Sequence, residues 1–363
     1  MTKFDEIISK FQVEGEIAKV EPLGHGTVNH TYEIICGGEY YVLQEVNYSA
    51  FKYPTEVMNN LFLVTEYLRE EIEKEGKDSQ RETLTFIRTK AGNQLLQTEQ
   101  GYYFRLYRMI RYGNEMEKPR TAEEAYEAAK AIGVFHRRLR DFDCKKLSYT
   151  LPKLHDMKYR LGQLLDAVRA DICFRTSDCQ EQIQFVLDRS KKLYLIQEAM
   201  DSNQIPRRVT HNDSRYGNVL IDSDSKKAIC MIDLDTVMPG ASILDFGDAV
   251  RAGAATFSED EKSGNIEIDL DLYRAYLQGY CDEMGRVLTA KEKELLVYAV
   301  WLEAMEHGMH YLTDYLNGDR HTFHFSDERH NLYRAVNQFF LVLDIEEKQD
   351  KMNEIAEAVL MKL

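Results

Sequence analysis

VTHNDSRYGNVLI, residues 209–221, is the stretch of sequence on which the fold prediction rests. Apolar residues precede and follow a polar loop, which predicts two short strands over 207–210 and 218–222. A third run over 228–233 predicts the next strand of a hairpin and ends on Asp233. A His-Asn-Asp triplet on its own is ordinary turn chemistry. Its place just past the end of an apolar strand indicates a functional site.

Three polar residues in this region have the spacing that phosphoryl transfer requires. That reaction needs a carboxylate that orients the acceptor hydroxyl and oxygen ligands for Mg²⁺ on the nucleotide phosphates. A protein-kinase catalytic loop supplies them as an Asp, an Asn five residues later and a further Asp on the next hairpin. Asp213, Asn218 and Asp233 follow this order. We therefore predict Asp213 as the catalytic carboxylate and Asn218 and Asp233 as metal ligands.

The Asp-Phe-Gly triplet of protein kinases also occurs, at residues 245–247, but in another context. It follows a Met-Pro-Gly segment rather than a hairpin, and Asp233 already stands where the strand pattern puts the metal-binding residue. We predict structural roles for Asp245 and Asp248, which tie down the loop below the site or cap the next helix.

The first 110 residues are predicted to form strands around one helix that carries Val57 and Leu68 on its apolar face. The predicted strands cover 17–21, 28–35, 40–46, 84–88 and 102–110. Gly24 and Gly26 lie in the first turn, where a hairpin can cover nucleotide phosphates, and we predict both as nucleotide-binding. Gln44 stands on the third strand where a protein kinase carries Lys. It can donate a hydrogen bond to a phosphate but brings no positive charge, and we predict it as a third nucleotide contact.

The rest of the chain is predicted to be mainly helical. Thr121 with Glu124 fits a helix-capping pair. Helices are expected over about 122–139, 155–170, 180–202, 270–285, 290–317 and 330–360. The fold class is α+β, with a small β-rich N-terminal lobe over residues 1–111 and a larger helical C-terminal lobe over residues 112–363. Ligands often bind where two such lobes meet.

Composition excludes several classes of protein. The chain has 363 residues and a net charge of −15, so we expect no nucleic-acid partner. The longest uncharged apolar run, 295–302, is far short of the ~18 residues that span a membrane, and the charged N-terminus does not read as a signal peptide. We expect a soluble cytoplasmic protein without a membrane partner. Six irregularly spaced cysteines predict free thiols. The oligomeric state is left open.

Histidine and aromatic residues are frequent near the C-terminal helices. The spacing of the histidines fits no standard zinc motif, so we expect no metal there; they are His307, His310, His321, His324 and His330. The aromatic residues are predicted as core, with an aromatic wall for a small acceptor as the alternative; they are Tyr311, Tyr315, Phe323 and Phe325. His136 is predicted to be a packed helix residue.

With these motifs, the chain resembles the aminoglycoside-phosphotransferase and choline-kinase superfamily, and within it the bacterial N-acetylhexosamine 1-kinase subfamily most. The matching stretches are 24–32, 41–44, 209–213, 218–220, 232–240, 245–248, 314–316, 318–319 and 330–332. They cover both predicted lobes. The His-Asn-Asp loop together with the 232–240 and 245–248 runs is specific to the subfamily, whereas the glycine hairpin is not. The resemblance implies a two-lobed protein-kinase-like fold.

The resemblance also implies ATP and Mg²⁺ as cofactors, a small sugar as partner and a sugar 1-phosphate as product. It implies that Asp213 orients the anomeric hydroxyl of the sugar, and that Thr27 and His310 join it in binding that substrate. Thr27 stands where the subfamily frequently has His, and His310 where it frequently has Arg, whereas Gln44 is shared.

Alternative functions stay open. One is a kinase of the same superfamily for homoserine, an amino alcohol or another sugar. Another is a non-catalytic nucleotide-binding protein, which only Gln44 favours. The nucleotide preference and the choice between gluco and galacto epimers are also open.

Overall fold

The computed structural model describes residues 3–24, 29–47, 52–111, 113–114, 118–261, 266–320 and 327–363. Its N-terminal part is an antiparallel sheet of six strands in the order β1-β2-β3-β6-β4, with β5 paired to β6. The strands are β1 (Ile17–Pro22), β2 (His30–Cys36), β3 (Glu39–Val46), β4 (Phe86–Ile87), β5 (Leu96–Gln97) and β6 (Tyr103–Arg108). Three helices accompany this sheet: α1 (Lys3–Ile8), α2 (Pro54–Lys74) and α3 (Ser79–Glu82).

The two faces of the sheet differ in character because successive strand residues point to opposite sides. One face is apolar: Ile34, Leu43 and Phe104 are fully buried in a cluster that includes residues of α1. The other face carries polar side chains on three neighbouring strands. Thr31 on β2 pairs with Gln44 on β3, which pairs in turn with Arg105 on β6. This polar face turns toward the loops of the C-terminal part.

The C-terminal part consists mainly of helices around one large apolar core. They are α4 (Ala122–Arg138), α5 (Met157–Ala170), α6 (Gln180–Arg189), α7 (Leu195–Asp201), α8 (Ser242–Gly253), α9 (Leu270–Met284), α10 (Ala290–Glu294), α11 (Leu296–Leu316) and α12 (His330–Leu360). Helix α4 packs along α9, and α11 packs against both α8 and α12. No helix among the described residues is both long and apolar enough to cross a membrane.

Two small sheets position the loops between these helices. Their strands are β7 (Gly113–Asn114), β8 (Arg208–Thr210), β9 (Val219–Asp222), β10 (Ala228–Met231) and β11 (Met238–Gly240). Strand β9 lies between β7 and β10, and β8 pairs with β11. The polar loop quoted at the outset therefore runs from β8 to β9 at the end of both sheets.

The α+β two-lobed fold is confirmed, with local differences. The strand predicted over 228–233 ends at Met231, because Asp233 has a left-handed backbone (φ 56°) that no regular strand accommodates. The sequence reading missed α1, α3, α8, β5, β7 and β11, and it merged α6 with α7 and α10 with α11. All six cysteines are free, as predicted. The division at residues 111/112 stays a prediction.

Candidate active site

The loop between β8 and β9 is fastened from below by Asp245. This residue lies in the first turn of α8 and is 1% exposed. Its carboxylate accepts the backbone N–H groups of His211 (2.6 Å) and Asn212 (2.7 Å) and a hydrogen bond from His136 Nε2 (2.8 Å). Burial alone would raise the pKa of Asp245, but the His136 hydrogen bond and the loop amides hold it below its ordinary value. This geometry agrees with the structural role predicted for Asp245. The residue binds the loop from a position within α8, and it does not cap that helix.

His211 fixes the backbone of the next residues. Its Nδ1 accepts the Asp213 N–H (3.3 Å), which leaves Nε2 to carry the proton and donate to the Ile232 carbonyl (2.8 Å). Its own carbonyl accepts the Thr236 hydroxyl (2.6 Å). Asn212 has a left-handed backbone (φ 64°) and donates from Nδ2 to the Thr236 carbonyl (2.8 Å). The loop is thereby bonded to the segment that carries Asp233.

The side chain of Asp213 takes no part in this framework and is partly exposed to solvent. Its side chain is 30% exposed, and its Oδ1 accepts a hydrogen bond from Arg215 Nε (2.8 Å). The Asp213 charge in turn raises the pKa of Arg215. A carboxylate that keeps one oxygen beside a guanidinium and remains open to solvent can accept a hydrogen bond from a hydroxyl group of a ligand.

Asn218 and Asp233, the predicted metal ligands, are brought together with Asp213. Asn218 donates from Nδ2 to the Asp213 carbonyl (2.7 Å), which directs its Oδ1 away from that bond. The Ile232 N–H donates to the Asn218 carbonyl (2.9 Å), so the neighbouring Asp233 lies beside Asn218. The site therefore offers an amide oxygen and a carboxylate, the hard oxygen donors that Mg²⁺ prefers.

The electrostatics of Asp233 also suit a cation. Asp233 is exposed to solvent, yet the protein around it encloses its carboxylate enough to desolvate it. This enclosure, with the negative charges of Asp235 and Asp213, raises the pKa of Asp233 to about 7. A divalent cation would relieve the repulsion among these carboxylates.

Gln44 is engaged within the sheet. Its Nε2 donates to Thr31 Oγ1 (3.1 Å), and its Oε1 accepts Arg105 Nε (2.8 Å). The rest of the Arg105 guanidinium makes a bidentate ion pair with Asp235, in which both side chains are 3% exposed. The polar face of the sheet thus contains a buried positive charge after all, one strand away from the position expected for a kinase Lys.

The structure describes only some of the remaining predicted site residues. Gly24 has φ +69°, a backbone that favours glycine and fits the predicted turn. Gly26 and Thr27 lie outside the described residues. His310 is half-buried on α11, and burial together with the charges of Arg160 and His307 lowers its pKa to about 4, so its imidazole is neutral.

A cluster of paired charges lies beyond Arg215. Arg251 donates twice to Asp248 Oδ1 (2.7 and 3.0 Å) and once to Glu259 (2.8 Å). Arg334 and the Tyr311 hydroxyl (2.7 Å for the latter) also bind Glu259. The negative charges of Asp248 and Glu259 act on Arg215 and contribute to its raised pKa. Asp248 therefore has a structural partner, but among the described residues it pairs within α8 and neither ties down the loop nor caps a helix, as had been predicted.

The phosphotransferase enzyme family matches residues 61–289, which is more than half of the chain. The chain belongs to this family and is a phosphotransferase. The matched region contains the site from Arg105 to Glu259 described above. The predicted superfamily is confirmed.

Solved structures support the same fold. A microcompartment-associated aminopropanol kinase has a TM-score of 0.61 and 14% identity, covering 96% of this chain and 98% of its own. Choline kinase from Cryptosporidium parvum Iowa II has a TM-score of 0.61 and 14% identity, covering 99% of each chain. A spectinomycin phosphotransferase, in complex with ADP and spectinomycin, has a TM-score of 0.53 and 17% identity, covering 98% and 97%. At these identities the likeness concerns the fold.

Sequence reasoning missed Arg105 and Asp235. A signal for Arg105 was available: a charged residue flanked by the apolar Phe104 and Leu106 is a candidate for a buried ion pair. Its partner could not be identified that way, because the pairing joins residues 130 positions apart.

Proposed function

We propose that this protein is an ATP-dependent, Mg²⁺-requiring kinase that phosphorylates the anomeric hydroxyl of an N-acetylhexosamine. In this proposal residues 1–111 form the nucleotide lobe, and Gly24, Gly26 and Gln44 contact the nucleotide. Residues 112–363 form the lobe that carries the catalytic loop and the acceptor site. Family membership supports the phosphotransferase reaction; the acceptor is argued from the charges around Asp213.

Asp213 acts on the acceptor. Its carboxylate accepts the hydrogen bond of the sugar hydroxyl and then its proton, as that oxygen bonds to the γ-phosphorus of ATP and the bond from phosphorus to the bridging oxygen of ADP breaks. Asn218 and Asp233 would hold Mg²⁺, which when bound neutralises charge on the phosphates. Arg215 orients Asp213 through its 2.8 Å hydrogen bond.

The observation that supports the acceptor class is that three carboxylates in this region, including Asp213, are paired with guanidinium groups. Three carboxylates pair with three guanidinium groups: Asp213 with Arg215, Asp248 with Arg251, and Glu259 with Arg334 and Arg251. A cationic acceptor such as an amino alcohol needs an unpaired carboxylate or an aromatic cage. A neutral polyhydroxyl acceptor needs donors and acceptors held in place, which paired side chains provide. The neutral His310, proposed with Thr27 to bind the acceptor, has the same character.

A panel of acceptors tests the proposal. ATP consumption is measured with and without Mg²⁺ for N-acetylglucosamine, N-acetylgalactosamine, glucose, choline, aminopropanol and homoserine. We expect the N-acetylated sugars to be turned over best, because groups that bond the amide are left unpaired by glucose. Faster turnover of choline or aminopropanol would establish an amino alcohol kinase instead. ATP binding without turnover of any acceptor would favour the non-catalytic alternative.

The product identifies the hydroxyl that is phosphorylated. A 1-phosphate is labile in acid and has lost its reducing end. An acid-stable product that still reduces copper would place the phosphate on another hydroxyl and refute the 1-kinase assignment, even with the kinase reaction retained.

A further inference from the structure

We propose that Arg105 is a positioning residue for the metal-binding side of the nucleotide site. It removes Asp235 from the possible metal ligands and holds the turn that presents Asp233. The proposal rests on the proposed function, because it takes Asp233 as a ligand of Mg²⁺. It assigns to β6 the positive charge that Gln44 does not supply on β3.

The geometry of the guanidinium carries the first step. Arg105 uses Nε for Gln44 Oε1 (2.8 Å) and both terminal nitrogens for the Asp235 carboxylate, so all three of its nitrogens have partners. Only a planar fork can make these bonds at once, whereas an ammonium group is a single point charge. Gln44 is therefore the group that orients Arg105, and its own orientation is set by Thr31 Oγ1 (3.1 Å).

Asp235 also receives a second tether from the sheet. Asn29, just before β2, donates from Nδ2 to Asp235 Oδ2 (2.9 Å) and accepts the Asn47 N–H (3.0 Å). Two separate segments of the N-terminal part thus hold one carboxylate of the C-terminal part. Fixing Asp235 fixes Asp233, because the two residues are joined by a single short 3-10 turn over Leu234–Thr236.

Charge provides the second step. Asp233 and Asp235 both carry a carboxylate that could bind a cation. The bidentate pair with Arg105 neutralises Asp235 in a buried environment and occupies both of its oxygens. Asp233, which is exposed to solvent, is left as the acid that a cation can bind. The ion pair therefore both selects the ligand and sets its position.

The test compares Arg105→Lys with Arg189→Lys. Arg189 makes a similar bidentate pair with Glu346, between α6 and α12 and outside the site described above, so its variant controls for loss of a guanidinium fork. ATP affinity is measured by calorimetry with Mg²⁺ and with EDTA, alongside the thermal midpoint. We expect Arg105→Lys to weaken ATP binding about 10–100-fold with Mg²⁺, the usual cost of losing a group that orients a metal ligand. Binding in EDTA should change little, and Arg189→Lys should match the wild type in both.

A purely structural role would lower the thermal midpoint of Arg105→Lys and leave the Mg²⁺ dependence of ATP binding at the wild-type level, which overturns the proposal. Should this variant not fold, Arg105→Gln combined with Asp235→Asn leaves no lone buried charge and must show the same loss. Wild-type Mg²⁺ dependence in that double variant likewise overturns it. A wild-type protein that binds no ATP with Mg²⁺ overturns the proposed function and this inference together.

Discussion

Asp245 and Asp233 stand on neighbouring elements and are the same residue type, yet their surroundings are opposite. Asp245 is buried and receives hydrogen bonds from His136, His211 and Asn212, which keep its pKa low. Asp233 is exposed to solvent, and desolvation of its carboxylate together with the nearby Asp235 and Asp213 raises its pKa to about 7. Where donors converge on a carboxylate, it stabilises a loop. The acids around Asp233 are instead what the proposed cation site requires.

The largest loss of phosphoryl transfer is expected when Asp233 is substituted. Asp233→Ala should reduce phosphoryl transfer to the background of the assay, because the Mg²⁺ that neutralises the phosphates loses its carboxylate ligand. Turnover of ATP with the best acceptor is the measurement. Asp224→Ala, at an exposed turn between β9 and β10, serves as the control and should retain wild-type turnover. Appreciable turnover of Asp233→Ala would contradict the ligand assignment.

Asp213→Asn should cause the next largest loss of turnover. The amide keeps the shape but cannot accept a proton, and loss of a general base costs about 10²–10⁴-fold in kcat. ATP affinity should be unchanged, because Asp213 contacts the acceptor rather than the nucleotide. Turnover near the wild-type rate would refute the role of Asp213, and a matching loss of ATP affinity would place it in the nucleotide site.

Asp245→Asn should mainly affect stability. Removing a buried charged acceptor from three donors costs about 3–5 kcal/mol of unfolding free energy. Chemical denaturation measures this cost, and the fraction that stays folded should keep its ATP affinity. An unfolding free energy equal to that of the wild type would show that the loop does not depend on Asp245.

The smallest effect concerns two glutamates three residues apart on α11. Glu306 accepts hydrogen bonds from His155 and Arg160, which outweigh burial and lower its pKa. Glu303 is fully buried, and neither of its carboxylate oxygens has a hydrogen-bond partner among the residues that the structure describes. Burial raises the pKa of Glu303 well above 4.5; Glu306 and Asp248 add to this, while His155 and Arg251 oppose it.

Because the folded state holds the Glu303 proton more tightly than the unfolded chain, the stability contributed by this group falls as pH rises above 4.5. Glu303→Gln mimics the protonated form. At pH 5 the free energy of unfolding of this variant should be close to that of the wild type. At pH 8 it should equal the wild-type value or exceed it by about 1 kcal/mol or less. Glu306→Gln should instead destabilise at both pH values. Thermal midpoints across this pH range check the pair, and a loss of stability at pH 8 in Glu303→Gln would contradict the account.

Much of the fold could be predicted because local patterns agree with it. The aromatic and branched residues of β3 and the helical spacing from Val57 to Leu68 identified their elements from neighbouring residues alone. The spacing of Asp213, Asn218 and Asp233 predicted a common site because it follows the order of a protein-kinase catalytic loop, with each residue beside a short apolar strand. The roles of these residues remain predictions.

The remainder depends on contacts that local patterns do not encode. Asp233 looked like a strand end, but its left-handed backbone opens a turn. Gln44 suggested a site without positive charge, whereas Arg105 is paired with it on the neighbouring strand β6. Strand register and ion pairs between distant segments arise from tertiary packing, which overrides local propensity.

The central claim is that Asp233 binds the cation and Asp245 supports the loop. Calorimetry of ATP binding, with Mg²⁺ and with EDTA, on folded Asp233→Ala and Asp245→Asn tests it most directly. The account predicts that Asp233→Ala binds ATP equally weakly in both conditions, while Asp245→Asn retains the gain in affinity that Mg²⁺ gives the wild type. Loss of that gain in Asp245→Asn, with its retention in Asp233→Ala, would contradict the account.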